Sequence, residues 1–215
     1  MSVDNDNQPE SAPKRFSIDA ARQQADAAYR KSEFILSRAY GLFRDPAAEW
    51  EQIRAEETTV PNILVGYVAP LALIPPVCDL VGSTLFNHML QIEPGQAILR
   101  AAITWVVSVA FVFLLGILIN TLAETFEADK NDLAAQKIAA YSLTPSFLSG
   151  VFSLWPPLWW LSLFALAAMV FLMYRGLPIL MKAPAERALG YAASVTIAAA
   201  VGGVVLFSLA SCATS

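Results

Sequence analysis

From Pro61 onward the chain alternates long apolar runs with short polar breaks, and before Pro61 it does not. The runs have rough limits 61–86, 98–122, 133–154, 157–175 and 188–210. Each is near the ~20 residues needed to cross about 30 Å of hydrocarbon. Within them the apolar residues surround every helical face, which suits lipid and not a soluble core with one wet side. The breaks read NHMLQIEPGQA, AETFEADKND, a bare Trp155-Pro156-Pro157 turn and GLPILMKAPAER. Connections this short force antiparallel neighbours. The pattern predicts an all-α membrane protein, a compact bundle of five transmembrane helices preceded by cytoplasmic or interfacial amphipathic helices.

Upstream of the bundle the periodicity changes. Residues 1–16 are polar and aperiodic, the composition of a disordered tail. Ser17 caps a weakly amphipathic, Ala-rich stretch, DAARQQADAAYRK. Beyond it, apolar residues at 35/39/42 and 36/40/43 share i, i+4, i+7 spacing and form one broad face. With Arg38 and Arg44 nearby, that face suits either the headgroup layer or packing against the cytoplasmic ends of the bundle. Asp45 at N-cap and Pro46 at N1 restart a helix that Thr58, Thr59 and Pro61 stop. Trp50 on this helix reads as an interfacial anchor. The expected organisation is a tail over 1–16, a cytoplasmic helical segment over 17–59 and the five-span membrane domain over 60–211. Residues 1–31 lack the basic-then-apolar order of a signal peptide, so the first apolar segment is the first span.

Composition and charge sharpen the picture. The chain is 56% hydrophobic and 15% charged, against roughly 25% charged in an average soluble domain, and its mean hydropathy is +0.52. Of 14 Lys and Arg, eight precede Pro61. Lys130 and Lys137 follow the second span, and Arg175, Lys182 and Arg187 follow the fourth. Placing the N-terminus inside leaves Arg100 as the one basic residue outside, so the positive-inside rule predicts a cytoplasmic N-terminus and a periplasmic C-terminus. Net charge is −4 without a dense basic patch, which argues against nucleic acid as a partner. Cys78 and Cys212 do not make a disulfide framework.

Candidate residues fall at both ends of the bundle. Asp79 lies roughly 27 Å along an ideal helix from Pro61, at the outer interface, and Arg100 lies at matching depth on the next span. The two suit an ion pair that clamps the first hairpin, and Asp79 alone suits an ion or proton site. Glu124, Lys137 and Arg175 share inner-leaflet depth and suit a small polar network. Glu124, Glu127, Asp129 and Asp132 form an acidic loop whose spacing matches no metal template, the pattern of a solvated loop. Pro70, Pro75, Pro76 and Pro145 bend spans, which marks either packing geometry or a transport path. Gly190, Ser194, Ala198 and Gly202 form a small-residue ladder for close helix approach, within the bundle or in a homo-oligomer. The single histidine, His88, excludes His-dependent triads and His-rich metal sites, and no phosphate loop, CxxC or HExxH occurs. No cofactor, metal or catalytic residue is expected, and the chain is not read as an enzyme.

The stretch YSLTPSFLSGVFSLWPP followed by MYRGLPILM, with DPAAEW, IRAEE and VGYVAPLALIPPV upstream, resembles the Yip family of Ypt/Rab-interacting membrane proteins, in its short bacterial branch. The resemblance covers roughly 44–207 and rests on Tyr141, Thr144 and Pro145 and on Gly176, Leu177 and Pro178. It implies five spans with a cytoplasmic N-terminus. The Asp-Leu-Tyr-Gly-Pro motif of eukaryotic members is absent, the nearest stretch being LFRDPAAEW, so their binding of prenylated GTPases is not carried over. The expected function is that of a non-enzymatic scaffold or adaptor in a bacterial inner membrane, partnered by the lipid bilayer and by a membrane or cytoplasmic protein. The alternative is a small-solute, ion or lipid transporter or channel using the Pro-bent spans.

Overall fold

The computed structural model describes residues 14–86 and 94–212. The tail expected over 1–16 lies outside them up to position 13, as do His88 and most of the first linker. Residues 14–16 already belong to a helix. Contacts divide the chain into Met1–Arg38 and Ala39–Ser215. The first unit is helical in its described part, with the Arg38 guanidinium 5.1 Å from the Phe34 ring centre. Helix α1 is continuous over Lys14–Arg44.

The second unit opens with the end of α1, where Ala39 and Leu42 are buried while Tyr40 and Phe43 are exposed. The face expected to be single is therefore divided. Helix α2 (Pro46–Ala55) begins as its residues dictate. The Asp45 carboxylate accepts from the Ala48 amide at 3.2 Å, and Pro46 takes a first-turn position where its missing N–H is no loss. Trp50 departs from expectation. It is fully buried with Ile53, because α2 lies against the bundle and offers its one apolar side to it.

The first apolar run is a helix interrupted by its own prolines. It comprises α3 (Val60–Ile63), a π-helical turn (Leu64–Val68), α4 (Ala69–Leu71) and α5 (Ile74–Phe86). Pro70 has no N–H and its ring would strike the carbonyl four residues back, so the preceding turn widens. The Ala69 amide accordingly bonds to Leu64 O. Past Pro70 the Leu73 amide turns to Pro70 O at 3.4 Å, which frees Ala69 O. The indole of Trp105 donates to that carbonyl at 2.8 Å. A bend in one helix is thus satisfied by a side chain of the next, as a membrane interior requires.

The second run is α6 (Pro94–Leu122), extended by a 3-10 turn over Ala123–Phe126. After it come α7 (Asp132–Ser142), α8 (Thr144–Leu148) and two 3-10 turns, Ser149–Leu154 and Pro156–Leu161. Helices α9 (Ser162–Met181) and α10 (Ala185–Cys212) complete the chain. No strand occurs among the described residues. Four segments are long and apolar enough to cross a membrane: Val60–Ser83, Gly95–Phe126, Pro157–Met181 and Ala185–Cys212. The run expected over 133–154 is not among them. It carries Gln136, Lys137, Ser142 and Thr144, all buried, and Pro145 breaks it. Residues 134–145 are buried without interruption, and α7 packs on α6 and α9. The most polar of the five runs is therefore the middle of the bundle. The others turn large apolar side chains outward, among them Val65, Phe113, Leu163 and Val204, and Trp155, Trp159 and Trp160 stand exposed around the turn that precedes α9. This is an all-α membrane protein, with lipid-facing helices around a segment that needs no lipid.

Candidate functional site

Two clusters hold the sequence candidates, and they differ in kind. The first is built where α2 and the first span meet α7 and α9. Lys137 projects from α7 and donates to the carbonyls of Ile53 at 2.6 Å and Glu56 at 2.7 Å. These are the terminal carbonyls of α2, which lack helical partners and carry the negative end of its dipole. A buried ammonium there caps α2 from another element. Beside it, Tyr141 packs at a tilt on Tyr67, with ring centres 4.6 Å apart, and meets the edge of Trp50 at 6.4 Å. The hydroxyls of Tyr67 and Thr144 share a buried hydrogen bond of 2.8 Å. Gly176 on α9 is the floor under Trp50, since a Cβ there would sit 2.8 Å from Trp50 Cε2. Pro178 lies inside α9, which still runs to Met181. Pro145 is buried at the start of α8. The indole nitrogen of Trp50 and the hydroxyl of Ser142 are buried without a hydrogen-bond partner among the described residues.

The expected network of Glu124, Lys137 and Arg175 does not form. Lys137 is taken by the end of α2, Glu124 pairs with Lys130 at 2.8 Å, and Arg175 is exposed without a partner among the described residues. The acidic loop is exposed, as a solvated loop is, and its carboxylates also form surface ion pairs. Asp129 pairs with Lys182 at 2.8 Å and Glu127 with Arg187 at 2.9 Å. Asp132 accepts from the Asn120 amide, and the Asp129 backbone donates to Met181 O at 2.8 Å. Phe126 stacks flat on Tyr191 at 4.8 Å, whose hydroxyl donates to Ile119 O. The α6–α7 loop and the α9–α10 linker are thereby joined at one end of the bundle. Among the described residues no three metal-ligating side chains gather.

The second cluster lines a cavity of about 660 Å³ between α5, α6, the 149–154 turn and the end of α10. Asp79 and Arg100 both face it and both are exposed. They are not the ion pair expected, since no contact within 4.0 Å joins them. One wall is held very close: a Cβ at Gly150 would lie 2.6 Å from Pro75 Cα, and one at Gly82 would strike the Ser153 carbonyl oxygen. The Pro75-Pro76 bend is therefore filled by backbone from the 149–154 turn. The small-residue ladder lies elsewhere. Ala188, Tyr191, Ala192, Val195 and Ala199 form the buried stripe of α10, while Gly190 and Ala198 are exposed and Ser194 and Gly202 half-buried. Gly190 packs within the bundle, since a Cβ there would lie 3.6 Å from the Phe126 ring, whereas one at Gly202 would meet no neighbour among the described residues.

Sequence reasoning placed Trp50 at the interface, where the structure buries it, and missed Tyr67 and Gln136. Gln136 donates to Val112 O at 3.2 Å, and its side-chain oxygen occupies the place that a Cβ of Gly116 would need. A polar residue one turn into a weakly apolar run, opposite a glycine in the neighbouring run, was the available signal.

Proteins named inner membrane protein YohC from two strains of Escherichia coli are 27% identical over 180 residues, covering 80% of this chain and 91% of the relative. No solved structure matches. The Yip1 domain matches residues 40–207, which takes in α2, the aromatic cluster and the whole membrane bundle as far as Phe207. The chain belongs to the Yip1 domain family.

Proposed function

We propose that this protein is a five-crossing scaffold or adaptor of a bacterial inner membrane that recruits a protein partner and performs no catalysis. One observation carries the reading: the residues that bear the family motif are committed to packing. Tyr141, Thr144 and Gly176 hold Trp50 and Tyr67, and Lys137 caps α2. The motif thus fastens a polar helix to the bundle and leaves no group poised for chemistry.

The fifth crossing is supported by length. Asp132–Ser142 and Thr144–Leu148 rise 1.5 Å per residue and Ser149–Leu154 about 2.0 Å, together roughly 36 Å against about 30 Å of hydrocarbon. Its buried polar groups meet protein and not lipid. Five crossings set the α6–α7 loop and the α9–α10 linker on one side, and the ion pairs that join them agree. That side holds Lys130, Lys182 and Arg187, so the positive-inside rule makes it cytoplasmic with the N-terminus, and makes the C-terminus periplasmic. The relatives' name supports the inner membrane. The ladder of exposed Gly190 and Ala198 and half-buried Ser194 and Gly202 suits a second copy of the chain. The transporter alternative rests on the Pro-bent spans, and the bends at Pro70 and Pro75 are filled by Trp105 and Gly150.

Affinity purification in mild detergent, with quantitative identification of the recovered proteins, tests the reading. Deletion of residues 1–44 is expected to lose the partner, whereas Asp79→Asn and Arg100→Ala retain it. Protein-dependent flux of ions or lipid in liposomes, with no partner recovered, would sink it.

A further inference from the structure

The geometry points to the Asp79–Arg100 cavity as a binding site for the headgroup of a zwitterionic phospholipid with a primary amine, Arg100 holding the phosphate and Asp79 the ammonium. Two opposite charges face one space and do not neutralise each other. At headgroup level, charges that do not pair with each other are open to a ligand's groups of opposite sign. A cation or an anion alone would satisfy one of the two. A headgroup with both signs satisfies both, and a phosphate suits the forked donors of arginine.

The position of the cavity selects a lipid. Asp79 follows Val60 by about 29 Å of helix, and Arg100 precedes Leu122 by about 33 Å. Both charges therefore sit at headgroup level, at the end of the bundle away from the α6–α7 loop. The lining mixes hydroxyls of Thr104 and Ser153 with apolar Leu80 and Phe207, and the volume is that of a small-molecule site. Val77 and Val81, two residues to either side of Asp79, are exposed, as is Leu99 next to Arg100. They offer an apolar surface for acyl chains just outside the charged cavity. The proposal does not rest on the scaffold reading.

The test is native mass spectrometry of the delipidated full-length protein in detergent. Phosphatidylethanolamine, phosphatidylcholine and phosphatidylglycerol of identical acyl chains are titrated separately. Phosphatidylethanolamine is expected to bind about tenfold tighter than the other two, the scale of one charge-assisted contact. Asp79→Asn should weaken phosphatidylethanolamine most and phosphatidylcholine less, and should not weaken phosphatidylglycerol, which carries no cation. Arg100→Ala should weaken all three lipids and Arg100→Lys restore part of the loss. Glycerophosphoethanolamine, the same headgroup without chains, should fail to compete at equal concentration. Equal binding of the three lipids by the unmodified protein would overturn the proposal whether or not the variants fold. Competition by the soluble headgroup would overturn the lipid as its source.

Discussion

Gly176 lies directly under the indole of Trp50, so close that a methyl group at position 176 would stand 2.8 Å from Trp50 Cε2 and 2.9 Å from Cζ2. A glycine in a membrane helix and a tryptophan 126 positions earlier in the chain, in the helix before the first span, are therefore one packing unit. Gly176→Ala should destabilise the bundle by about 1–3 kcal/mol through overpacking, and Trp50→Ala by about 3–5 kcal/mol through the cavity it leaves. Thermal unfolding in detergent measures both. The cost of Gly176→Ala should shrink when combined with Trp50→Ala, because contacting residues do not add. Additive losses would mean that the two do not share this site.

Trp50→Phe should behave differently. The buried indole nitrogen has no hydrogen-bond partner among the described residues, so the exchange removes an unsatisfied donor along with part of the ring. Its unfolding temperature is expected far nearer the unmodified protein's than that of Trp50→Ala.

Lys137→Met should release α2 without unfolding the bundle. The substitution keeps the stem and removes the ammonium, leaving the carbonyls of Ile53 and Glu56 without that donor at about 1–3 kcal/mol. Hydrogen exchange should quicken over residues 46–56, with α9 and α10 unchanged. Uniform protection across both would contradict the capping role.

The Tyr67–Thr144 hydrogen bond predicts non-additivity of another kind. Tyr67→Phe and Thr144→Val should each cost on the order of 1 kcal/mol, since each takes this partner from the other buried hydroxyl. The double variant should cost less than the sum, because the one bond the two hydroxyls share is lost only once.

Much of this fold is legible in sequence, and the exceptions have physical causes. The apolar runs at 61–86, 98–122, 157–175 and 188–210 announce themselves because lipid-facing helices are apolar all round. The cap at Asp45-Pro46 is local chemistry and appears where its residues put it. Run 133–154 is weaker in hydropathy because its polar residues face protein. Trp50 misleads because an interfacial anchor and a core aromatic look alike in sequence, and only the glycine beneath it tells them apart. Asp79 and Arg100 share a depth that counting along helices reveals, but depth does not fix azimuth, and the two face a common cavity without touching. The acidic loop is exposed as its composition suggests, but its pairing is invisible in sequence because Lys182 and Arg187 reach it from a linker more than fifty residues away.

The central claim is that the buried, polar, proline-broken segment Asp132–Leu154 is a full crossing, which makes the number of crossings odd. Labelling of single thiols with a membrane-impermeant maleimide tests it most directly. In a Cys78→Ser background, the native Cys212, exposed at the end of α10, reports the C-terminal face. A Ser17→Cys, Cys212→Ser variant reports the N-terminal face. Labelling of the two thiols from opposite sides of the membrane, Cys212 from the periplasmic side, is the result predicted. Labelling of both from one side would mean an even number of crossings and would contradict the account.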